Sequence, residues 1–501
     1  MNDRNTKLIW AAGALGLVGG AFAANRIASA RSRAHPGHRD RAEREMLPKA
    51  SVLDSLATFM DVFLPNIAKG VIMRRPKVVA MSEHMDLDRR AIRRLQKLRK
   101  RYGSGPIMLR IPVRNQAVLV EPAHVQRVLA GSPEPFATAS SEKWAALSHF
   151  EPKGALISSG TERTVRRRFN EEVLDHERDV HRMVESFMPM VEEEAARIME
   201  AARQHGELSW QEFKEGWFRL VRRVVFGNVA AEDHEFNDMT VELRSAANWA
   251  FLRPAKKDLQ QRFWARIRHY LDNAAPESLA GLIARTPHSS EAHPDQQIPQ
   301  WLFAFDPAGM ATFRALALLA SHPGAAARAQ EEIRTNANRQ NLGYLRACVL
   351  ESLRLWPTTP LILRQTTEET RWENGTMPAR TGVTILAPFF HRDDQRLPFA
   401  DRFTPELWQG ERSDRDWPLV PFSGGPAICP ARNLVLLLSS AMLASLLEGR
   451  EFRLEPPERM DPRKLQSTLD NYSLRFSFRE ERRAEAPPVQ AQAQPEGQTL
   501  H

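Results

Sequence analysis

A loop rich in glycine and proline, residues 421–431, delivers one cysteine to the start of a long apolar run. Gly424 and Gly425 permit backbone angles that other residues avoid, and Pro430 suits the first position of a helix, where no N–H is needed. Cys429 is therefore predicted to lie at the N-terminus of a buried helix, where free N–H groups and the helix dipole favour an anion. An isolated cysteine is more often a small packing residue. In this loop, however, the thiol is biased towards thiolate, the form that ligates metals or attacks as a nucleophile.

Length and composition are those of a large globular protein. The 501 residues, 42% of them hydrophobic, can bury an extensive core, and no Gly/Ser-rich linker or internal repeat divides them. Two cysteines, Cys348 and Cys429, are too few for a disulfide framework and indicate a reducing compartment. The net charge of +9 is modest for a nucleic-acid-binding protein. It fits a membrane surface or an acidic protein partner better.

The N-terminal segment suggests a membrane anchor. Residues 8–24 carry no charge, and several arginines follow them between residues 26 and 41. The segment is at the short limit for a spanning helix, and the positive-inside tendency would keep the body of the protein in the cytoplasm. Two alternatives stay open, a cleaved signal peptide and a disordered leader in a cytoplasmic protein. We expect residues 1–45 to be a membrane anchor followed by a basic linker.

Residues 74–101 are dense in arginine and lysine. Within them Ile92, Leu95 and Leu98 recur at helical spacing, which predicts a basic amphipathic helix. Its charged side is interpreted as a solvated face near the membrane, with binding of anionic lipid as the alternative.

Strand signals are few. Residues 107–112 and 116–120 predict a pair of strands, and a helix should follow over residues 122–130. Residues 366–384 predict a hairpin that turns at Asn374-Gly375. The remaining apolar residues recur mostly at helical spacing, so the sequence predicts a mainly α fold with a small β-region.

The cysteine loop contains the pattern Phe422-x-x-Gly425-x-x-x-Cys429-x-x-Arg432, which resembles the haem-binding loop of the cytochrome P450 family. The resemblance extends over residues 46–478. It implies a cytochrome P450-like fold and a haem (iron protoporphyrin IX) whose axial ligand is the Cys429 thiolate. The helix after the loop would then pack beneath the porphyrin.

A second motif, Ala308-Gly309-x-x-Thr312, lies in an apolar segment upstream. In the family, a matching helix crosses the distal face of the haem. The resemblance implies that Ala308 and Gly309 lie where oxygen binds and that the Thr312 hydroxyl guides protons. Ala311 departs from the family, which usually has an acid at this position. Asp306 lies about 120° away around a helix of ~3.6 residues per turn and is no simple substitute.

Three arginines are implied to hold the haem propionates. Arg163 and Arg167 share one helix face, and Arg163 stands where the family usually has a tryptophan. Arg364 matches a further propionate-binding position. The alternative for the first pair is a solvated basic stripe, because other arginines flank it. Ala427 departs from the family, which has Arg or His there.

Glu351 and Arg354 resemble the family's most dependable motif and are expected to form a buried structural pair. The family commonly adds an arginine where this chain has Leu407. Either Arg402 or Arg412 could compensate, and the sequence leaves both open.

The sequence is interpreted as a membrane anchor (1–45), one catalytic domain (46–480) and a disordered tail (481–501), with a lid over the substrate cavity within residues 228–275. The resemblance implies a haem-thiolate monooxygenase that inserts one atom of O2 into a lipophilic molecule. Because no flavin or nicotinamide motif occurs, electrons are expected from a separate reductase or ferredoxin. The alternatives are a haem protein with lost or altered oxygen chemistry and a non-catalytic, membrane-associated interaction protein.

Overall fold

The structure is a computed structural model that describes residues 46–112, 114–249, 254–336, 338–410 and 418–480. The expected membrane anchor, the C-terminal tail and Arg412 lie outside these residues.

Helices dominate the described part of the chain. They are α1 (Val52–Thr58, continued by a π-helical turn over Phe59–Phe63), α2 (Leu64–Lys69), α3 (Pro76–His84), α4 (Leu87–Tyr102), α5 (Pro122–Ala130), α6 (Ser141–Leu147), α7 (Gly160–Val173), α8 (Val184–His205), α9 (Trp210–Phe226), α10 (His234–Ala247), α11 (Lys257–Asp272), α12 (Leu279–Arg285), α13 (Pro294–Ser321), α14 (Pro323–Thr335), α15 (Gly343–Leu355), α16 (Ala387–Arg392) and α17 (Arg432–Leu447). The predicted helix over residues 122–130 is confirmed as α5.

The strands form three small sheets. They are β1 (Ile107–Leu109), β2 (Gln116–Val118), β3 (Phe136–Ala137), β4 (Leu208–Ser209), β5 (Leu361–Thr366), β6 (Thr370–Trp372), β7 (Gly375–Met377), β8 (Gly382–Leu386), β9 (Arg450–Glu455) and β10 (Arg475–Glu480). The largest sheet has the order β1-β2-β8-β5-β3, and β4-β10-β9 and β6-β7 form the others. The predicted strand pair is confirmed as β1 and β2. The predicted hairpin is confirmed as β6 and β7, but its turn is Glu373-Asn374, one residue earlier than predicted, because Gly375 already pairs with Trp372.

Helix α13 runs through the middle of the larger core. It packs against α9, α15 and α17, whose apolar residues belong to the same buried cluster. The tryptophans predicted to be core residues differ in burial: Trp210 and Trp217 are buried, Trp264 is half-buried and Trp249 is 37% exposed. Within the described residues, the helical stretch Ser290–Ser321 is long and apolar enough to cross a membrane, but most of it is buried inside the fold. It is therefore the central core helix.

The basic helix α4 uses much of its charge inside the protein. Its apolar residues Ile92, Leu95 and Leu98 are buried, as predicted. Arg89 pairs with Asp401, and three other arginines of the helix pair with Asp54 and Asp61 on α1 and its π-helical continuation and with Asp393 after α16. These ion pairs tie α4 to the fold and leave fewer positive charges for a lipid surface than the sequence suggested.

Candidate functional site

The turn before Cys429 is fixed by backbone geometry. Gly425 has φ +62°, and a Cβ on it would collide with the carbonyl oxygen of Leu129 at the end of α5. Glycine is therefore required there. Gly424, by contrast, is extended, and Ser423 adopts the other left-handed conformation of the loop. The expected role of the two glycines thus holds for Gly425 alone.

Cys429 lies in a turn just before the helix rather than in its first turn. Helix α17 begins at Arg432, with Ala431 as its N-cap, so the predicted start at Pro430 was too early. Burial raises the pKa of the Cys429 thiol, while the Ala431 N–H and the charges of Arg167 and Arg432 act to lower it. The helix terminus alone therefore does not make this thiol a thiolate. A coordinated metal ion would, because binding deprotonates the thiol.

The other loop residues hold Cys429 in place. Its N–H donates to the carbonyl of Phe422 at 3.0 Å, and its own carbonyl accepts from the N–H of Arg432 at 3.3 Å. Phe422 is half-buried and packs against the core. The side chain of Arg432 is exposed, so this residue reaches the site through its backbone and its charge only.

Three cationic side chains from separate elements meet near this loop. They are Lys143 on α6, Arg163 on α7 and Arg364 on β5. Lys143 donates to the carbonyls of Thr138 and Leu363 at 3.0 and 3.1 Å. Burial and the charges of the two arginines hold the pKa of Lys143 well below its usual range. No carboxylate among the described residues forms an ion pair with any of the three.

The arginines of this cluster bond only neutral groups. Arg364 is 3% exposed and donates to the hydroxyls of Ser132 and Ser423 at 2.8 and 3.1 Å. Burial and Arg163 lower its pKa to about 10. The Arg163 Nε donates to the hydroxyl of Thr138 at 3.4 Å. Buried positive charge without a compensating acid is costly unless an anion binds.

Arg167 provides a further free donor beside the cysteine. It pairs with Glu171 and donates from Nη1 to the carbonyl of Ile428 at 2.7 Å. Its buried Nη2 has no hydrogen-bond partner within the described structure. A ligand with two carboxylates for these cations and a metal ion for the Cys429 thiolate would satisfy the whole group of side chains. Haem, with its iron and two propionates, is such a ligand. Ala427 contributes no charge, and Lys143, which the motifs did not reveal, provides one.

Helix α13 is less buried just before the Ala308-Gly309-x-x-Thr312 motif than within it. Between Trp301 and Leu319 all residues are buried except 303, 304, 306 and 307. Together with Gln300, the residues Phe303, Ala304 and Pro307 recur at the spacing of one helix face. This half-buried face is named the open face of α13.

The expected oxygen-binding residues do not lie on this face. Thr312 is fully buried, and its hydroxyl donates to the Ala308 carbonyl at 2.8 Å. Five residues beyond Pro307, it lies about 140° around a helix of ~3.6 residues per turn. Gly309 is covered by Trp217, because a Cβ on Gly309 would lie 2.7 Å from the indole ring. The assignment of Ala308, Gly309 and Thr312 to the distal face comes from the family resemblance and stays a prediction.

Asp306 stands beside the open face and is held by a cation. Its carboxylate pairs with Arg244 on α10, and both side chains are largely buried. Arg244 also lies over the ring of Phe303, 5.3 Å from its centroid. The family's usual acid is missing at Ala311, but this chain has an acid, Asp306, beside the open face.

The Glu351–Arg354 pair is fully buried, as predicted, with two N–O contacts of 2.6 and 2.8 Å. A third side chain, Trp408, joins this buried network, because its indole N–H donates to Glu351 at 2.8 Å. Arg402 does not compensate for Leu407, because its side chain is exposed and only its carbonyl accepts from Arg354. The sequence comparison missed Trp408 because the family position is one residue earlier.

A family model for cytochrome P450 matches residues 300–476. Tabersonine 6,7-epoxidase isoform 1 of Catharanthus roseus is 31% identical over 191 residues, which cover 35% of this chain and 37% of the relative. Flavonoid-6-hydroxylase of Mentha piperita is 33% identical over 162 residues, 29% of this chain and 31% of the relative. The chain thus aligns with about a third of the length of these curated relatives.

Solved structures match over more of the chain. CYP102L1 covers 88% of this chain and 100% of its own, with a TM-score of 0.66 and 18% identity. The retinoic acid-bound cyanobacterial CYP120A1 covers 77% and 93%, with a TM-score of 0.63 and 17% identity. These likenesses show the fold, and the family model adds the C-terminal motifs. The C-terminal part of the chain, which carries the cysteine turn and the buried Glu351–Arg354 pair, therefore matches the cytochrome P450 family, and most of the chain shares the fold of the two cytochrome P450 structures.

Proposed function

We propose that this protein is a haem-thiolate monooxygenase that inserts one oxygen atom from O2 into a lipophilic small molecule. The observation that carries the proposal is the convergence of the half-buried Lys143 with the buried Arg163 and Arg364 near the turn that holds Cys429, without an acidic partner among the described residues. A dianionic metal ligand fits this arrangement.

These contacts indicate which residues would hold the cofactor. Cys429 would provide the thiolate ligand, and the three cations together with Arg167 would bind the propionates. When bound, a thiolate-ligated haem supplies the activation of dioxygen.

The chain itself contributes a substrate surface and an acidic side chain. The open face of α13 presents Phe303, Ala304 and Pro307, and Phe303 contacts Phe150, with ring centroids 6.2 Å apart. This face can bind apolar molecules and exclude water. Asp306, in its ion pair with Arg244, is the carboxylate beside this face, and we assign it to the proton relay.

Electrons would come from a separate reductase or ferredoxin. Membrane association is also part of the proposal, with the catalytic body on the cytoplasmic side. The segment 8–24 supports it, and so does helix α1, because Val52, Leu53 and Leu56 are 57–78% exposed. Apolar side chains this exposed mark a contact surface.

The test is an absorbance spectrum of the reduced, carbon-monoxide-bound protein. We expect the signature of thiolate-ligated haem in the wild type and in the control Cys348→Ser, and its loss in Cys429→Ser. Retention of the signature in Cys429→Ser would place the iron ligand elsewhere.

A second candidate is a haem protein with altered oxygen chemistry. It is favoured by one observation: Thr312 is buried and Pro307, on the open face, has no hydroxyl. Product formation with a reconstituted electron donor separates the two, because altered chemistry predicts haem binding without an oxygenated product. A haem-free protein would favour the third possibility, a non-catalytic interaction protein.

A further inference from the structure

A small cavity lies along the continuation of the open face of α13. Its volume is about 50 Å³, enough for a water molecule or a small polar group. Met310 and Arg314 line it, three and seven residues after Pro307. Residues at this spacing share a helix face. The cavity therefore adjoins the surface on which the substrate is proposed to bind.

The charged lining of this cavity is mostly cationic. Lys69, Arg74 and Arg314 contribute positive charge, and Asp88 is the acid among the lining residues. Asp88 is engaged by Lys69, whose Nζ lies 2.7 Å away, and by the hydroxyl of Thr468 at 2.8 Å. Arg74 and Arg314 therefore have no carboxylate partner among the residues that the structure describes.

Arg314 has donor capacity to spare. It is 8% exposed and donates to the carbonyl of Trp356 and the side-chain oxygen of Asn471 at 2.9 and 2.8 Å. Its Nε is buried and has no partner within the described structure. Burial lowers its pKa to about 10, so Arg314 remains charged at neutral pH.

Arg74 is the second uncompensated cation. It donates to the carbonyls of Gly70 and Thr358, both at 2.9 Å, and forms no ion pair within the part of the chain described. Tyr472 lines the same cavity, and burial raises the pKa of its phenol, which keeps it a neutral donor.

Two acids outside the lining also act on these groups. Asp306 is paired with Arg244, and Asp470 accepts the N–H of Tyr472 at 3.1 Å. Neither contacts Arg74 or Arg314 in an ion pair, so the cavity keeps its positive character.

We propose that this cavity is an anion-binding subsite and that the substrate carries a carboxylate at one end of a lipophilic body. A planar carboxylate matches the fork of an arginine, and the small volume suits one such group. The inference rests on the proposed function, because it takes the anion to be part of the molecule that is oxidised.

The test uses the haem-loaded protein and three probes: dodecanoate, 1-dodecanol and acetate. Binding is followed by haem absorbance and, independently, by tryptophan fluorescence, since Trp356 lines the cavity. We expect dodecanoate to bind at least about tenfold more tightly than 1-dodecanol, the effect of one charge-assisted contact. Acetate should bind weakly, because it lacks the apolar body. Equal affinity for acid and alcohol would overturn the proposal, and tight binding of acetate alone would make the cavity a site for small free anions.

Variants locate the effect. Arg314→Gln and Arg74→Gln should each reduce the preference for acid over alcohol. The matched control is Arg346→Gln, because Arg346 is also buried, bonds only backbone carbonyls and has an unpartnered Nε. It should keep the full preference. An unchanged preference in both cavity variants, each of which first shows the wild-type carbon-monoxide spectrum, would contradict the assignment. A wild type without the thiolate spectrum would instead contradict the proposed function, while the fluorescence measurement still tests the subsite.

Discussion

The indole of Trp408 takes over a contact that stabilises the buried Glu351–Arg354 pair, and its removal has a calculable cost. In Trp408→Phe the ring remains but the N–H that donates to Glu351 at 2.8 Å is lost. A hydrogen bond to a charged group contributes about 1.5–3 kcal/mol. We expect Trp408→Phe to lower the free energy of unfolding by roughly that amount, because Glu351 is 0% exposed and water cannot replace the donor.

The matched control is Trp264→Phe. Trp264 is also half-buried, but its N–H donates to a neutral carbonyl, that of Phe150, at 3.2 Å. Loss of this bond should cost about 0.5–1.5 kcal/mol. Denaturant unfolding of both variants, followed by fluorescence and circular dichroism, gives the comparison. If Trp408→Phe lost no more stability than Trp264→Phe, Trp408 would not be a member of the buried network.

Three further outcomes follow from described contacts. Thr312→Ala should leave the product formed per electron consumed unchanged, whereas Asp306→Asn should lower it about 10²-fold or more, the smaller end of what general acids contribute. A large effect of Thr312→Ala in coupled-turnover assays would instead support Thr312 as the residue that guides protons. Burial raises the pKa of the Glu151 carboxyl well above its usual range, so the folded state favours the protonated form. The free energy of unfolding therefore falls as pH rises above about 4.3, the pKa of this carboxyl in the unfolded chain. Glu151→Gln should therefore stabilise the protein more at pH 8 than at pH 5, and an equal effect at both, measured by denaturant unfolding, would refute this. Lys143→Gln should retain the fold and release haem to a haem-scavenging protein about tenfold faster or more, because one propionate contact is weakened. The exposed control Lys100→Gln should release haem at the wild-type rate, and an equally unchanged rate in Lys143→Gln would show that Lys143 does not bind the cofactor.

The sequence predicted the elements whose signals are local. Gly425, the β6–β7 hairpin and the Glu351–Arg354 spacing each have a backbone or helix-face reason that a short stretch of chain can reveal. Which side of α13 forms its half-buried face could not be predicted in this way. Nearly all of its residues are apolar, so periodicity does not show which face is less buried.

The cation cluster was predictable only in part. Arg163 and Arg364 were found from family positions, but Lys143 lies on the short helix α6 and reaches them only through tertiary packing. The thiolate bias of Cys429 was predicted from the helix terminus alone, and burial outweighs that effect in the folded chain.

Helix α13 carries both Pro307 on its open face and Arg314 in the cationic cavity. Seven residues at ~1.5 Å each separate them by roughly 10 Å along one rigid element. For a linear carboxylic acid anchored at Arg314, the carbon that reaches Pro307 is then set by its distance from the acid group. Regioselectivity would follow this distance, so that extending the alkyl chain at its methyl end moves the far end of the substrate and leaves the oxidised carbon the same.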